Sequence, residues 1–185
     1  MHGTINTNST GYKYTLSVEH RLNHSPAKVW RALTERTFLR QWYPADVVGD
    51  WSVGAKLEFL FEPEQHADVT EDDLHGEVLA VEEPALLEYR WGSHSMRFEL
   101  AEDGGGCRLT LSESFNEKAW SARNAAGWEM CIENLALVLD GESAAEFDPT
   151  AWREKFDRYA EQYEGLVGPR GGLPEGDPLL KMGRE

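Results

Sequence analysis

Between Lys56 and Phe115, apolar side chains recur at every second residue through five successive segments, and the period then changes once, to that of a helix. In "KLEFLF" Leu57, Phe59 and Phe61 share a face, with Leu60 opposite. "LHGEVLAVEEP" is a strand ended by Pro84. "LLEYRWG" points Leu87, Tyr89 and Trp91 one way, and "SMRFELA" does the same with Met96, Phe98 and Leu100. "CRLTLSESF" sends Cys107, Leu109, Leu111, Glu113 and Phe115 to one side. Upstream, Tyr12, Tyr14, Leu16, Val18 and His20 alternate in the same manner. Short turns such as "EDGGG" join these segments, so an antiparallel meander is expected, one face packed and one wet.

The helical period runs from about Glu117 to Leu139, on the order of 30 Å at 1.5 Å per residue. Trp128, Ile132, Leu135 and Leu139 form one stripe, and Trp120, Asn124, Gly127 and Cys131 a neighbouring one with less bulk. The class is α+β, with six or seven strands and one long helix on the concave side. One helix about 10 Å across does not fill a strongly curved sheet, so space is left there unless bulky side chains occupy it. "SPAKVWRALTERTFLRQWYPA", after the first strand, reads as two short helices: Ser25 caps the first and Pro26 takes its first turn.

Charge and composition exclude several classes. The formal net charge is −15 over 185 residues. Leu57–Tyr89 holds no Lys or Arg, yet carries Glu58, Glu62, Glu64, Asp68, Glu71, Asp72, Asp73, Glu77, Glu82, Glu83 and Glu88. Such a surface repels phosphate backbones and anionic headgroups, so neither nucleic acid nor membrane is an expected partner. "MHGTINTNSTGYKY" has no apolar run, and residues 1–11 are expected to be a flexible N-terminus. A cytoplasmic setting is expected, with Cys107 and Cys131 as free thiols. His66, His75 and His94 lie near acids without metal-ligand spacing, so no metal is expected. "DGGG" lacks the helix entry and Lys of a phosphate loop, and no cofactor is expected.

The segments "VWRALTERTFLRQWYPA", "VGAKLEF", "LHGEVLAVEEPALLEYRW" and "GWEMCIENLALVLDG" resemble the homologues of the activator of the heat-shock-protein-90 ATPase, within the SRPBCC or START-like superfamily. The resemblance covers residues 12–141 and is carried by Trp30, Trp42, Gly54, Gly76, Pro84, Trp91, Gly127 and Trp128 in family order. It implies the helix-grip fold, with the two short helices supporting the far end of the long helix and closing the floor of an apolar cavity. It also implies binding or transformation of a hydrophobic small molecule. Because the superfamily includes cyclases, dehydratases and lipid carriers, fold alone does not fix an activity.

The expected cavity lining is Trp42, Phe59, Phe61, Tyr89, Trp91, Phe98, Glu113, Phe115, Trp120, Asn124, Trp128 and Cys131. Sequence does not separate a lined pocket from a filled core at these positions. Glu113 is distinctive because it holds the apolar phase of its strand. There it can orient a ligand or act as a general acid or base in a metal-free cyclase-type or lyase-type reaction; alternatively it reaches water at the strand end. Asn124 either faces the same space or is exposed. His75 and Glu77 share the phase of Leu79 and Val81, so they either reach the pocket mouth or sit in solvent. A second reading is a protein-interaction module that docks a partner through the acidic 57–89 region.

Residues 142–185 form an extension. Asp148 and Pro149 start an amphipathic helix of about residues 149–164, with Trp152, Phe156, Tyr159 and Tyr163 on one stripe. The stripe docks on its own domain, across the pocket mouth, or on a second copy as a homodimer. "GPRGGLPEGDPLLKMGRE" is expected to be extended or mobile.

Overall fold

The computed structural model describes residues 2–7, 11–61 and 69–183. Twelve elements carry the fold: β1 (His2–Thr7), β2 (Tyr14–Leu22), α1 (Pro26–Thr34), α2 (Arg36–Leu39), β3 (Asp46–Val48), β4 (Lys56–Leu60), β5 (His75–Glu82), β6 (Leu86–Trp91), β7 (His94–Asp103), β8 (Gly106–Phe115), α3 (Trp120–Asp140) and α4 (Pro149–Val167). The strands form one antiparallel sheet in the order β1-β2-β8-β7-β6-β5-β4-β3.

Eight strands replace the six or seven expected. One addition is β1, which corrects the flexible N-terminus: residues 2–7 pair with Tyr14–Glu19 of β2. The strand escapes pattern reading because Ile5 is its only large apolar residue; it is held by its backbone ladder and its cover. Gly3 lies against the Tyr159 ring, where an added Cβ would meet the ring at 2.7 Å, and Gln162 Nε2 donates to the Gly3 carbonyl at 2.7 Å. The other addition, β3, is three residues pairing with β4.

The alternating pattern maps onto the concave face as expected. Cys107, Leu109, Leu111, Glu113 and Phe115 on β8 are all buried, as are Met96, Phe98 and Leu100 on β7 and Leu87 and Tyr89 on β6. β5 departs from strict alternation. A bulge between Val78 and Ala80 shifts its phase: Gly76 and Val78 face inward before it, Leu79 is exposed, and Val81 stands opposite the buried Leu87 after it. His75 is therefore exposed, and Glu77 pairs with Lys56 and Arg90 on the wet side rather than at the cavity.

Ser25 caps α1 through the Lys28 amide, and Val29, Trp30, Ala32 and Leu33 are buried on its inner face. Trp42 Nε1 donates to the Ala32 carbonyl at 2.9 Å, and Trp51 Nε1 donates to that of Thr34 at 2.8 Å, locking the segment after α2 onto α1. Lys28 Nζ donates to the Leu139 carbonyl at 2.6 Å, so α1 braces the C-terminal end of α3. Beneath that end the interior is filled: Ile132, Leu135, Val138 and Leu139 join the buried core.

The extension docks on its own domain. Asp148 caps α4 through the Thr150 amide at 2.8 Å, and Trp152, Phe156, Tyr159, Tyr163 and Val167 are buried. Glu129 of α3 accepts from Lys155 Nζ at 3.0 Å, Arg158 Nη2 at 2.6 Å and Tyr159 Oη at 2.5 Å. The segment expected to be extended or mobile instead folds back in two short 3₁₀ turns, Pro169–Gly172 and Pro178–Leu180. Gly172, at φ +86°, presses on the Lys118 backbone, where a Cβ would meet its carbonyl oxygen at 2.4 Å. Arg153 Nη1 anchors the second turn by donating to the Leu179 carbonyl at 2.8 Å.

Candidate functional site

A cavity of about 460 Å³ opens under the N-terminal half of α3. Helix α3 contributes Trp120, Arg123, Asn124, Gly127, Trp128 and Cys131; the sheet contributes Trp91, His94 and Glu113, and Phe61 follows the end of β4. The loop before β5 adds Val69 and Asp73, and Pro44 comes from the segment after α2. The remaining wall belongs to the extension, through Phe147, Trp152, Leu179 and Met182.

Glu113 is the polar centre of this wall. Its strand register sets Leu16 on one side and Met96 on the other, both fully buried, so the carboxylate stands mid-sheet in an apolar row. The residue is 3% exposed, which removes the strand-end reading. Burying such a group is unfavourable unless its oxygens are satisfied, and they are. Oε1 accepts from His94 Nδ1 at 2.6 Å and from Asn124 Nδ2 at 2.8 Å; Oε2 accepts from Trp128 Nε1 at 2.7 Å. Asn124 and Trp128 are one helical turn apart on α3, so both donors reach the same carboxylate. Asn124 thus faces inward.

Aromatic rings fix the surroundings. His94 packs against Phe115 at 5.7 Å between centroids and edge-on to Trp120 at 5.3 Å. The Arg123 guanidinium lies 4.4 Å over the Trp120 ring. Trp91 stacks on Phe59 at 4.7 Å and on Phe61 at 6.0 Å, and its Nε1 donates to the Asp73 carbonyl at 2.7 Å. Behind Trp91 and Trp128, Tyr89 donates to the Tyr43 hydroxyl at 2.8 Å. Burial pushes both phenols above their ordinary range, and proximity to Glu113 adds to the effect. Burial likewise pushes the Cys131 thiol up to about 12, so it is a poor nucleophile at neutral pH.

Seven of the twelve expected lining residues stand in the cavity wall: Phe61, Trp91, Glu113, Trp120, Asn124, Trp128 and Cys131. Trp42, Phe59, Tyr89, Phe98 and Phe115 do not. They are core residues 3% exposed or less, packed on one another behind the wall, as in the edge-to-face pair of Trp42 and Phe98 at 6.4 Å. The short helices do not floor the cavity either, because they brace the opposite end of α3. His94, Arg123 and the extension residues are additions. The signal for His94 was present: it shares the phase of Met96, Phe98 and Leu100 once β7 is started one residue earlier. Glu62, Glu64, His66 and Asp68 of the acidic region lie outside the described residues. Among the described residues, no group of three or more His, Cys, Asp or Glu is placed to hold a metal ion, and no helix is long and apolar enough to cross a membrane. Cys107 and Cys131 are free.

The fold has many solved counterparts. CalU16 from Micromonospora echinospora superimposes with a TM-score of 0.67 at 20% identity, over 86% of this chain and 94% of its own. EF2215 from Enterococcus faecalis, a conserved protein of unknown function, gives 0.70 at 22% identity, over 89% and 91%. DynU16, from the dynemicin biosynthetic locus, gives 0.59 at 21% identity, over 72% of this chain and 50% of its own. Comparison with curated proteins finds no match. The sequence profile of the family described as activator of Hsp90 ATPase homolog 1-like protein matches residues 23–140, from the loop before α1 to the last residue of α3. That match takes in most of the chain, and with the helix-grip architecture around it, the chain belongs to this family.

Proposed function

We propose that this protein binds a hydrophobic or aromatic small molecule in the cavity between the sheet, the N-terminal half of α3 and the C-terminal extension. One observation carries the reading: an apolar, largely aromatic hollow of about 460 Å³ has, among the described residues, a single buried carboxylate in its wall, held in one orientation by three donors. Small-molecule sites have this make-up, a concave apolar lining of about 300–1,000 Å³ with few, well-placed polar groups. The origin of DynU16 in a biosynthetic locus agrees with a small-molecule ligand. Acid–base turnover of a cyclase or dehydratase kind would extend the same reading and would centre on Glu113 and its partners.

The test is a titration of polycyclic aromatic compounds followed by thermal melting and tryptophan fluorescence. Four tryptophans, Trp91, Trp120, Trp128 and Trp152, stand in the wall, so occupancy reports directly. Saturable quenching with a rise in Tm is expected, lost in Trp91→Ala and weakened in Glu113→Ala. No saturable response across the panel, together with salt-sensitive capture of a basic protein by the acidic 57–89 region, would replace this reading with the interaction module. Unchanged turnover of an identified substrate by Glu113→Gln would remove the acid–base extension alone.

A further inference from the structure

Glu113 has little capacity left for a ligand. A carboxylate offers about four lone-pair directions, and three are taken by His94, Asn124 and Trp128. The single Trp128 N–H is spent on this contact, as is one of the two Asn124 N–H groups. His94 has a second ring nitrogen. A carboxylate only accepts, so the Nδ1 facing it carries the ring proton, and in the neutral ring Nε2 presents a lone pair. The imidazole side chain is 13% exposed, stands in the cavity wall, and is held in plane by Phe115 and Trp120. Among the described residues its Nε2 has no hydrogen-bond partner. The arrangement matches the way a carboxylate behind a histidine fixes its tautomer and aims its free nitrogen.

We infer that His94 Nε2 is the acceptor that contacts the ligand, that Glu113 is the positioning residue behind it, and that the ligand is an aromatic compound bearing a hydroxyl donor, a phenol or enol. This rests on the cavity being a ligand site. The hydroxyl supplies the donor that Nε2 lacks, and the ring matches a wall of Phe61, Trp91, Trp120 and Trp128. An anionic ligand fits less well. Among the described residues, Glu113 and Asp73 both stand in the wall against one Lys or Arg, Arg123, on a chain of net charge −15.

Calorimetric titration of the full chain with 2-naphthol, 2-methoxynaphthalene and 2-naphthoate tests this, beside ¹⁵N NMR of the imidazole. The naphthol is expected to bind about tenfold more tightly than its methyl ether, one good hydrogen bond's worth. His94→Phe, which keeps the ring stacking, should reduce that preference below about twofold while leaving the ether's affinity nearly unchanged. In the free protein Nδ1 should be the protonated nitrogen, and 2-naphthol should move the Nε2 resonance toward the protonated range. Glu113→Gln should mix the two tautomers, a change that a purely structural role for Glu113 would not produce. Equal affinity for naphthol and ether overturns the inference while leaving the cavity reading intact. An Nε2-protonated ring, or a preference for naphthoate, also overturns it. Absence of binding by all three removes both readings. Should His94→Phe fail to fold, the wild-type tautomer and its response to 2-naphthol decide.

Discussion

Two glutamates are buried against α3, Glu113 at 3% and Glu129 at 4% exposure, and each accepts three hydrogen bonds from side chains. Their partners differ in kind. Glu129 meets two cations and a phenol, all supplied by one turn of α4, and the charges cancel where two helices press together. Burial alone would raise its carboxyl, but the donors from Tyr159, Lys155 and Arg158 outweigh this and hold it below the usual carboxylate range. Glu113 meets an imidazole, an amide and an indole, drawn from β7 and α3, and stands beside empty volume. A buried carboxylate compensated by cations across an interface is a clamp. One held by an imidazole, an amide and an indole at the rim of a cavity fastens no helix to another, so the two environments separate the clamp from the proposed binding site.

The comparison can be broken most forcefully at Phe156, which is 1% exposed on α4 and stacks on Trp152 at 5.1 Å. Phe156→Ala should lower stability by about 4 kcal/mol, the usual scale for an emptied aromatic site, and weaken any ligand by detaching the wall residue Trp152. Denaturant unfolding with the same titration checks both. Glu129→Ala should follow at about 3 kcal/mol, toward the low end for a broken buried pair because Arg158 is half exposed, with ligand affinity nearly kept. This contribution also has a pH signature. The folded carboxyl titrates below the unfolded one, so the stabilisation is complete above the ordinary carboxylate range and fades as pH falls from that range through the lowered folded value. The stability gap between wild type and Glu129→Gln should therefore narrow on acidification; a gap constant with pH would remove the clamp. Glu113→Ala should have a smaller effect, about 1–2 kcal/mol for donors left unpaired beside solvent-accessible space, yet remove most of the preference for a hydroxyl-bearing ligand. Reversal of these two rankings would dissolve the distinction. Asp46, half-buried at the sheet edge, serves as the surface reference. It is held by both arms of Arg36 at 2.8 and 2.7 Å, and Asp46→Asn should leave the melting curve unchanged within error.

Much of the scaffold could be read from side-chain periodicity, because burial enforces phase. Each strand from β6 to β8 carries its apolar set inward, and the one polar residue in that set, Glu113, was visible for that reason. Where burial is not what holds the chain, the pattern was silent. β1 is held by backbone pairing and by α4 lying over Gly3, neither of which leaves a hydrophobic period. The bulge in β5 sets Val81 opposite Leu87 and so breaks the phase that His75 and Glu77 would share with it, a local insertion that alternation does not encode. The wall and the layer behind it are both aromatic, so Phe59, Tyr89 and Phe98 could not be told from Phe61 and Trp91 without coordinates. The C-terminal segment was hidden most completely, since its glycines and prolines signal irregular backbone while its docking depends on single contacts such as Gly172 against Lys118.

Because Trp152, Leu179 and Met182 stand in the same wall as Glu113, a guest bound there as proposed would stabilise the tail, and the tail the guest. A molecule present at one hundred times its dissociation constant would add about 2.7 kcal/mol to any opening that must expel it. Amide exchange along residues 174–183 would slow roughly a hundredfold on loading, so the last stretch of backbone would act as the occupancy gauge for the hollow beneath it.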